Sequence, residues 1–471
     1  MIFHKHSIQY QRAGLVALLA AAVLSAAMIL SAAMGPDLRV ADAAKAGDKK
    51  AVIALIKEKA DVNGSQPGAA TALAWAAERA DDEIAQLLLA AGAKPDIAND
   101  YGETPLTLAC ANGDSLLVQK LLGAGASAKA ARWDGETALM ICAGNGKADA
   151  VQQLVAHGAD VAAVDQSKGQ NALMWAAAQG HAAVVTVLAA HGADVNAASK
   201  GNFTPIMFAS EKGDADTIKA LVAAGADVNK ALPDGNNPIL IASNLKQPAA
   251  VVALLDAGAK PTIADKAGNT PLHSAAQAGD VDLIKGLLAK GADPNAKTAS
   301  IAAGGRGRGA AAGGGGFGRG GPAGEQTPLM VAAKGGHLDA MKALVAGGAD
   351  TKLKAQDGTT LLMSAAGSGH VEVVKYAYEL DPDPKTVLAT NQTGNNAVHA
   401  SVTGTGGLVP QKSVCEVIQF LADKGVDVDV KNARGQTAIQ IANGLPIDTA
   451  VTLMVDMLTK AGRTPLVDPH R

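Results

Sequence analysis

The chain has 471 residues, and 41 lysines and arginines against 44 aspartates and glutamates leave a formal net charge of −3. This near balance removes the electrostatic case for a nucleic-acid binder that uses its whole surface, and 48% hydrophobic against 18% charged residues excludes a largely disordered chain. With only 3 Trp, 4 Tyr and 5 Phe, the chain lacks the aromatic side chains of a large globular core, and its 3 cysteines are too few for a disulfide framework.

Residues 1–35 are predicted to be an export signal. Lys5 and Arg12 form a basic start, and residues 13–34 then carry no charge over 22 positions, which is long enough to span a bilayer. Small residues follow the apolar core, as in secretory signals. A cleaved signal peptide and an uncleaved membrane anchor therefore both stay open. Either one exports the remaining chain to the periplasm or the cell exterior.

A period of 33 residues organises the rest of the chain. Strings of the type Thr104-Pro-Leu or Asn171-Ala-Leu occur eleven times, and a second string, Gly225-Ala-Asp-Val-Asn, recurs in the same phase. Because Thr and Asn are strong N-caps and Pro is favoured at the first helical position, each anchor predicts a helix start. Glycines such as Gly113 end that helix, a second helix follows, and a polar finger leads to the next anchor.

These strings resemble the ankyrin repeat, whose motif is Thr-Pro-Leu-His-x-Ala-Ala followed by Leu-Leu-x-x-Gly-Ala-Asp-Val-Asn. The resemblance covers residues 38–462 and implies an all-α repeat solenoid of about twelve helix-turn-helix units with β-hairpin fingers, stacked into a curved rod. The motif histidine, which ties neighbouring repeats in the family, is present only at His273 and His399. The predicted domains are repeats over 38–297, a Gly/Arg-rich flexible insert over 298–324, repeats over 325–462 and a tail over 463–471.

No residue pattern predicts an active site, a metal site or a cofactor. His157 and His191 precede Gly-Ala-Asp in adjacent repeats. Helix layers about 8–10 Å apart do not bring two such ligands within about 2 Å of one zinc, so both are interpreted as solvated residues at helix ends. Cys110 and Cys142 replace small residues of the first helix, where buried packing is favoured over a redox pair. We therefore expect no enzymatic activity.

The expected function is non-catalytic binding of an unknown protein partner. By resemblance, partners contact the fingers and the exposed side of the first helices. In this chain those positions are Arg79, Tyr101, Asn112, Trp133, Asn145, Lys168, Gln179, Lys200, Phe203, Lys212 and Gln277. Trp133 and Phe203 are large aromatics at positions that the repeat keeps polar, and both exposure and packing on a neighbouring finger stay open. Trp75 and Trp175 follow an apolar motif position and are interpreted as core residues.

The insert offers a competing function. Residues 298–324 contain Arg306, Arg308, Phe317 and Arg319 among many glycines and no acidic residue. This composition favours a flexible loop, but Arg-Gly segments with an aromatic also bind single-stranded nucleic acid or acidic polymers. Three arginines are few for that task, and export removes most nucleic-acid partners. An anionic polymer, RNA or an acidic glycan, is therefore the alternative partner.

Overall fold

The computed structural model describes residues 37–66, 68, 70–300, 324–404 and 409–465. The predicted export signal and nearly all of the insert lie outside these residues. The chain divides into two compact units, Met1–Gly201 and Asn202–Arg471. In the described residues of both units, regular secondary structure is helical apart from isolated β-bridges, so the predicted all-α repeat architecture is confirmed.

In its described residues, the first unit consists of five helix-turn-helix pairs. These are α1 (Arg39–Ala46) with α2 (Lys49–Lys57), α3 (Ala72–Glu78) with α4 (Asp82–Ala90), α5 (Pro105–Asn112) with α6 (Ser115–Gly123), α7 (Ala138–Gly144) with α8 (Ala148–Ala156), and α9 (Ala172–Gln179) with α10 (Ala182–Ala190). The first of these pairs lies at the start of the predicted repeat segment 38–297 and lacks the Thr-Pro string.

In its described residues, the second unit adds seven pairs and one short helix. These are α11 (Pro205–Lys212) with α12 (Ala215–Ala223), α13 (Pro238–Asn244) with α14 (Pro248–Asp256), α15 (Pro271–Ala278) with α16 (Val281–Ala289), α17 (Pro328–Lys334) with α18 (Leu338–Ala346), α19 (Leu361–Ala366) with α20 (Val371–Leu380), the short α21 (Pro384–Val387), α22 (Ala397–Thr403) with α23 (Gln411–Asp423), and α24 (Ala438–Ala442) with α25 (Asp448–Lys460). The last helix ends within the predicted repeat segment 325–462, and Arg463, the first residue of the predicted tail, pairs with Asp427 and Asp429 at 2.8 and 2.9 Å.

The anchor residues cap the first helix of their pairs, as predicted. The Thr71 hydroxyl accepts a hydrogen bond from the Ala74 N–H at 3.2 Å, and the Asn171 side-chain oxygen accepts one from the Met174 N–H at 3.0 Å. Thr204 occupies the same N-cap position of α11 without a side-chain cap bond. Capping satisfies an N–H that has no partner within the helix, and this is why Thr and Asn recur at the anchors.

Small residues let the first helices of consecutive pairs approach one another. Ala76, Ala109 and Ala176 are fully buried between neighbouring first helices. Contacts run from α1 through α3, α5 and α7 to α9 in the first unit, and from α11 through α13, α15, α17, α19 and α22 to α24 in the second. Each unit therefore buries a core that extends along its stack, which requires few aromatic side chains.

The fingers are short hydrogen-bonded reverse turns. In the finger of Tyr101, the Asn99 N–H donates to the Glu103 carbonyl and the Gly102 N–H donates to the Asn99 carbonyl, both at 2.9 Å. The β-hairpin fingers that the resemblance implies are thus present as turns, without regular strands in the described residues. In the described residues β-pairing is limited to two isolated bridges, one of which joins Ser65 and Thr71.

Cys110 of α5 and Cys142 of α7 form a disulfide. Both side chains are fully buried, as predicted, but they are also bonded to each other, whereas the sequence favoured packing over a redox pair. Their Cα atoms are 4.6 Å apart, within the range that a disulfide requires. The two small positions face each other across the contact between adjacent first helices, so the bridge joins two consecutive repeats.

Candidate partner-binding surface

Neighbouring fingertips of the first unit are joined through their backbones. The Trp133 N–H donates to the Tyr101 carbonyl at 3.2 Å, and the Lys200 N–H donates to the Lys168 carbonyl at 2.9 Å. All four of these predicted partner-binding residues lie at fingertips with exposed side chains. Tips that are hydrogen-bonded to one another hold their side chains at a fixed spacing, which reduces the entropy lost when a partner binds.

An ion-pair network also joins the fingers of Tyr101 and Trp133. The Arg132 guanidinium lies 2.7 Å from a Glu103 carboxylate oxygen and 3.0 Å from a Glu136 oxygen. The three side chains are 23–29% exposed, so solvent screens this attraction less than it does at a fully exposed pair. This network was not predicted from the sequence. Its signal was the glutamate that precedes the anchor threonine in two consecutive repeats.

Tyr101 and Trp133 have the most exposed large hydrophobic side chains in the described residues, at 66% and 71%. Of the two alternatives left open for Trp133, exposure therefore applies. Phe203, in the second unit, is neither fully exposed nor shown against a neighbouring finger, because its ring contact is with its own repeat. It is half-buried, and its ring centroid lies 5.5 Å from that of Phe208 in α11 of the same repeat. The second aromatic within reach draws Phe203 onto its own helix.

Asn112 and Asn145 have a structural role that the sequence did not reveal. The Asn112 side-chain amide donates to the carbonyl oxygens of Ala77 and Glu78, both at 2.8 Å. The Asn145 amide bonds in the same way to the end of α5, at 2.8 and 3.0 Å. Carbonyls in the last turn of a helix lack partners within it. Each amide therefore caps the first helix of the preceding pair, while contact of these exposed side chains with a partner stays a prediction.

The remaining predicted contact residues lie at the ends of first helices. Arg79 ends α3, and its guanidinium lies against the turn at Gly47 of the preceding pair. Gln179 ends α9 in the first unit, while Lys212 and Gln277 belong to α11 and α15 in the second. All four side chains are exposed. Their contact with a partner stays a prediction.

Trp75 and Trp175 are half-buried, so the core interpretation holds for only part of each ring. The Trp75 indole N–H donates to the Gln66 side-chain oxygen at 3.0 Å, and the Lys45 ammonium lies 4.5 Å from the ring centroid. The Trp175 ring lies against Gly144 of the preceding first helix. The first helices of this unit thus present partly accessible apolar surface beside the fingers.

A buried carboxylate shapes the finger that carries Lys168. Burial alone would raise the pKa of Asp165, but hydrogen bonds outweigh it and lower this pKa. The backbone N–H groups of Lys168 and Gln170 donate to its oxygens at 2.6 and 2.8 Å, and the Ser167 hydroxyl donates at 2.8 Å. The ionised Asp165 therefore fixes the backbone of this finger.

His157 and His191 lie at the C-terminal ends of α8 and α10, as predicted, and both are exposed. Each Nδ1 lies 2.8 Å from the carbonyl oxygen four residues earlier. Within the described ranges, no group of three or more His, Cys, Asp or Glu residues is placed to hold a metal. In those same ranges, every helix is too short or too polar to cross a membrane.

Four blocks of the chain match a family model described as ankyrin repeats (3 copies). The blocks are residues 40–130, 108–199, 206–298 and 329–432. Among curated proteins, the chain is 28% identical over 153 residues to an ankyrin repeat and KH domain-containing protein of Caenorhabditis briggsae. That alignment covers 31% of this chain and only 5% of the length of the relative.

Proposed function

Because the chain belongs to the ankyrin-repeat family, we propose that it is a non-catalytic scaffold that binds another protein through its fingers and first helices. The primary contact is the pair of fingertip aromatics Tyr101 and Trp133. Proteins of this fold differ in what they bind, so the proposal depends on the side chains of this site and not on the fold.

One observation carries the proposal: two large aromatic side chains are exposed on adjacent fingertips that are fixed to each other. Tyr101 and Trp133 keep 66% and 71% of their surface accessible, although burial is favourable for both. The backbone bond between the tips and the Arg132 ion pairs hold the two fingers together. Tyr and Trp are enriched among residues that dominate binding energy in protein interfaces.

The scaffold acts in the periplasm or outside the cell. The support is the basic start and the uncharged run over residues 13–34, which lie outside the described residues. The protein is either released after cleavage or anchored through residues 13–34. In both cases the fingers can contact a partner in the cell envelope. N-terminal sequencing of the mature protein distinguishes the two forms.

The experiment is site-specific photo-crosslinking followed by binding measurements. A photoreactive amino acid at position 133 captures the partner in intact cells, and mass spectrometry identifies it. Titration calorimetry then compares its binding to the wild type and to the Tyr101→Ala, Trp133→Ala double variant. We expect binding to weaken by about 30-fold or more, which corresponds to about 2 kcal/mol at an interface hot spot.

Leu116 supplies the matched control. Its side chain is 52% exposed on α6, away from the fingertips. Leu116→Ala removes a comparable exposed apolar side chain and is expected to leave binding unchanged. Equal loss in both variants, or no loss in the aromatic double variant with an unchanged melting temperature, would eliminate the fingertips as the contact.

The alternative function is binding of an anionic polymer through the Gly/Arg-rich insert. One observation favours it: the residues on the two sides of the insert stay bonded to each other at the base of the finger. The Thr298 N–H donates to the Gln326 carbonyl at 3.0 Å, and Lys297 pairs with Glu325 at 3.1 Å. Titration of the wild type and of a variant lacking residues 302–322 with RNA and with an acidic glycan tests it. Loss of polymer binding on deletion, with the protein partner still bound, would support it.

A further inference from the structure

The small positions of the first helices carry cysteine at two places, and those two places face each other. In the other repeats of the first unit, the same positions are occupied by alanine, for example Ala76, Ala77 and Ala176. Cys110 and Cys142 are separated by 32 residues, one fewer than the repeat. The separation is one residue short of the period because Cys110 is the second residue of the small pair in α5, whereas Cys142 is the first residue of the small pair in α7. Side chains at these positions are fully buried.

We propose that the Cys110–Cys142 disulfide is installed by thiol-disulfide exchange while the chain is still unfolded. A disulfide-bearing oxidant, a thiol oxidoreductase or glutathione disulfide, supplies the oxidising equivalents. One cysteine thiolate attacks the oxidant disulfide and releases one oxidant thiolate. The second cysteine thiolate then attacks the mixed disulfide and releases the other. The two cysteines lose two electrons and two protons, and the oxidant is reduced to two thiols.

Burial determines when this exchange can occur. Both sulfur-bearing side chains have 0% exposure, and helix α5 packs directly on α7, so no oxidant reaches them in the folded protein. Exchange requires an accessible thiolate. The bridge therefore forms before the two helices pack and resists reductants afterwards. Disulfides of this kind persist in oxidising compartments.

The bridge also lies in the two repeats that carry the candidate partner-binding surface. Helix α5 follows the finger of Tyr101, and α7 follows the finger of Trp133. The disulfide thus joins the two repeats whose fingers carry the exposed aromatics. It adds a covalent link to the fingertip hydrogen bond and the Arg132 ion pairs that already join these repeats.

The test refolds the full chain in the presence of an oxidant. Fully reduced, denatured protein is refolded in a glutathione redox buffer, quenched with iodoacetamide and digested. We expect a peptide pair linked through Cys110 and Cys142. Only Cys415, the free and half-buried cysteine of α23, should be alkylated. Three alkylated cysteines, or a link that includes Cys415, would overturn the proposal. When the oxidant is added only after refolding, the link should form at least tenfold more slowly, and equal rates would overturn the proposed order of events.

A second measurement separates the covalent link from packing. The Cys110→Ala, Cys142→Ala double variant places at both positions the residue that neighbouring repeats use there, so helix packing is retained. We expect its melting temperature to lie about 5–10 °C below that of the oxidised wild type, because the bridge closes a long loop in the unfolded chain. Reduced wild type should match the variant. A wild type that melts at the same temperature with and without denaturing reduction would show that the link contributes nothing.

Discussion

At the scale of single residues, the two motif histidines are held neutral by burial. His273 Nδ1 accepts a hydrogen bond from the Thr270 N–H at 3.2 Å, and its Nε2 lies 3.0 Å from the Gln326 carbonyl oxygen. The carbonyl can only accept, so Nε2 carries the proton. Burial lowers the pKa of His273 and of His399, since each imidazolium would be poorly solvated. The neutral ring therefore joins consecutive repeats of the second unit.

This arrangement predicts a loss of stability in mild acid. Above the ordinary histidine pKa of 6.5 both folded and unfolded chains hold the rings neutral. As the pH falls below that value, the unfolded chain takes up protons that the folded chain does not. The free energy of unfolding should thus fall, by at most about 1.4 kcal/mol per pH unit for each histidine. Urea titrations at pH 7.5 and pH 5.5 measure it.

Glutamine can replace the motif histidine as a control for this pH dependence, as Gln440 shows. In the last helix pair its side-chain oxygen accepts the Thr437 N–H at 3.0 Å, which is the role of the histidine Nδ1. The His273→Gln, His399→Gln variant keeps that cap and has no titrating group at either position. Its stability should change less between the two pH values. An unchanged slope would assign the pH dependence to other groups.

At the scale of elements, the fingers depend on backbone conformations that favour glycine. Gly102 has φ +77°, and a Cβ there would lie 3.0 Å from the Trp133 nitrogen and 3.1 Å from the Arg132 Cα. Gly92 has φ +89°, with nothing within 4 Å of its Cβ position. Substitution strains the backbone at both residues, but only at Gly102 does it also push against the next finger.

The Gly102→Ala variant should therefore be less stable than Gly92→Ala. The left-handed conformation costs an L residue about 1–2 kcal/mol in either variant, and the difference reports the contact between fingers. Thermal melts of both variants measure it. Partner binding should weaken in Gly102→Ala alone, because displacement of this finger moves Tyr101 relative to Trp133. Equal destabilisation would show that adjacent fingers do not depend on this close approach.

At the scale of the whole molecule, the insert interrupts a finger and leaves the stacked helices intact. Thr298 and Gln326 remain hydrogen-bonded, and the side chain of Asn295 bonds to Gly348 and Asp350 of the next finger at 3.3 and 2.7 Å. Helices α15 and α17, which lie on either side of the insert, are in direct contact. The contacts of the second unit therefore do not require the inserted residues.

Deletion of residues 302–322 should leave the fold unchanged. We expect the same helical circular dichroism and a melting temperature within about 2 °C of the wild type, since no described contact is lost and a shorter loop closes at slightly lower entropic cost. A loss of more than about 5 °C would show that the insert supports the repeats. This measurement also validates the deletion as a probe of polymer binding.

The sequence by itself determined the features that arise within about four residues. Anchors such as Thr71 and Asn171 predict helix starts because a cap bond joins residues three apart, and the 33-residue period then predicts the helix pairs. What only the tertiary structure decided depends on contacts between neighbouring repeats. Two such features are the pairing of Cys110 with Cys142 and the cap that Asn112 provides. Both require atoms about 33 residues apart in the chain to be positioned with an accuracy of a few tenths of an ångström. A repeat period places such residues in adjacent layers, but helix packing sets which of their atoms touch.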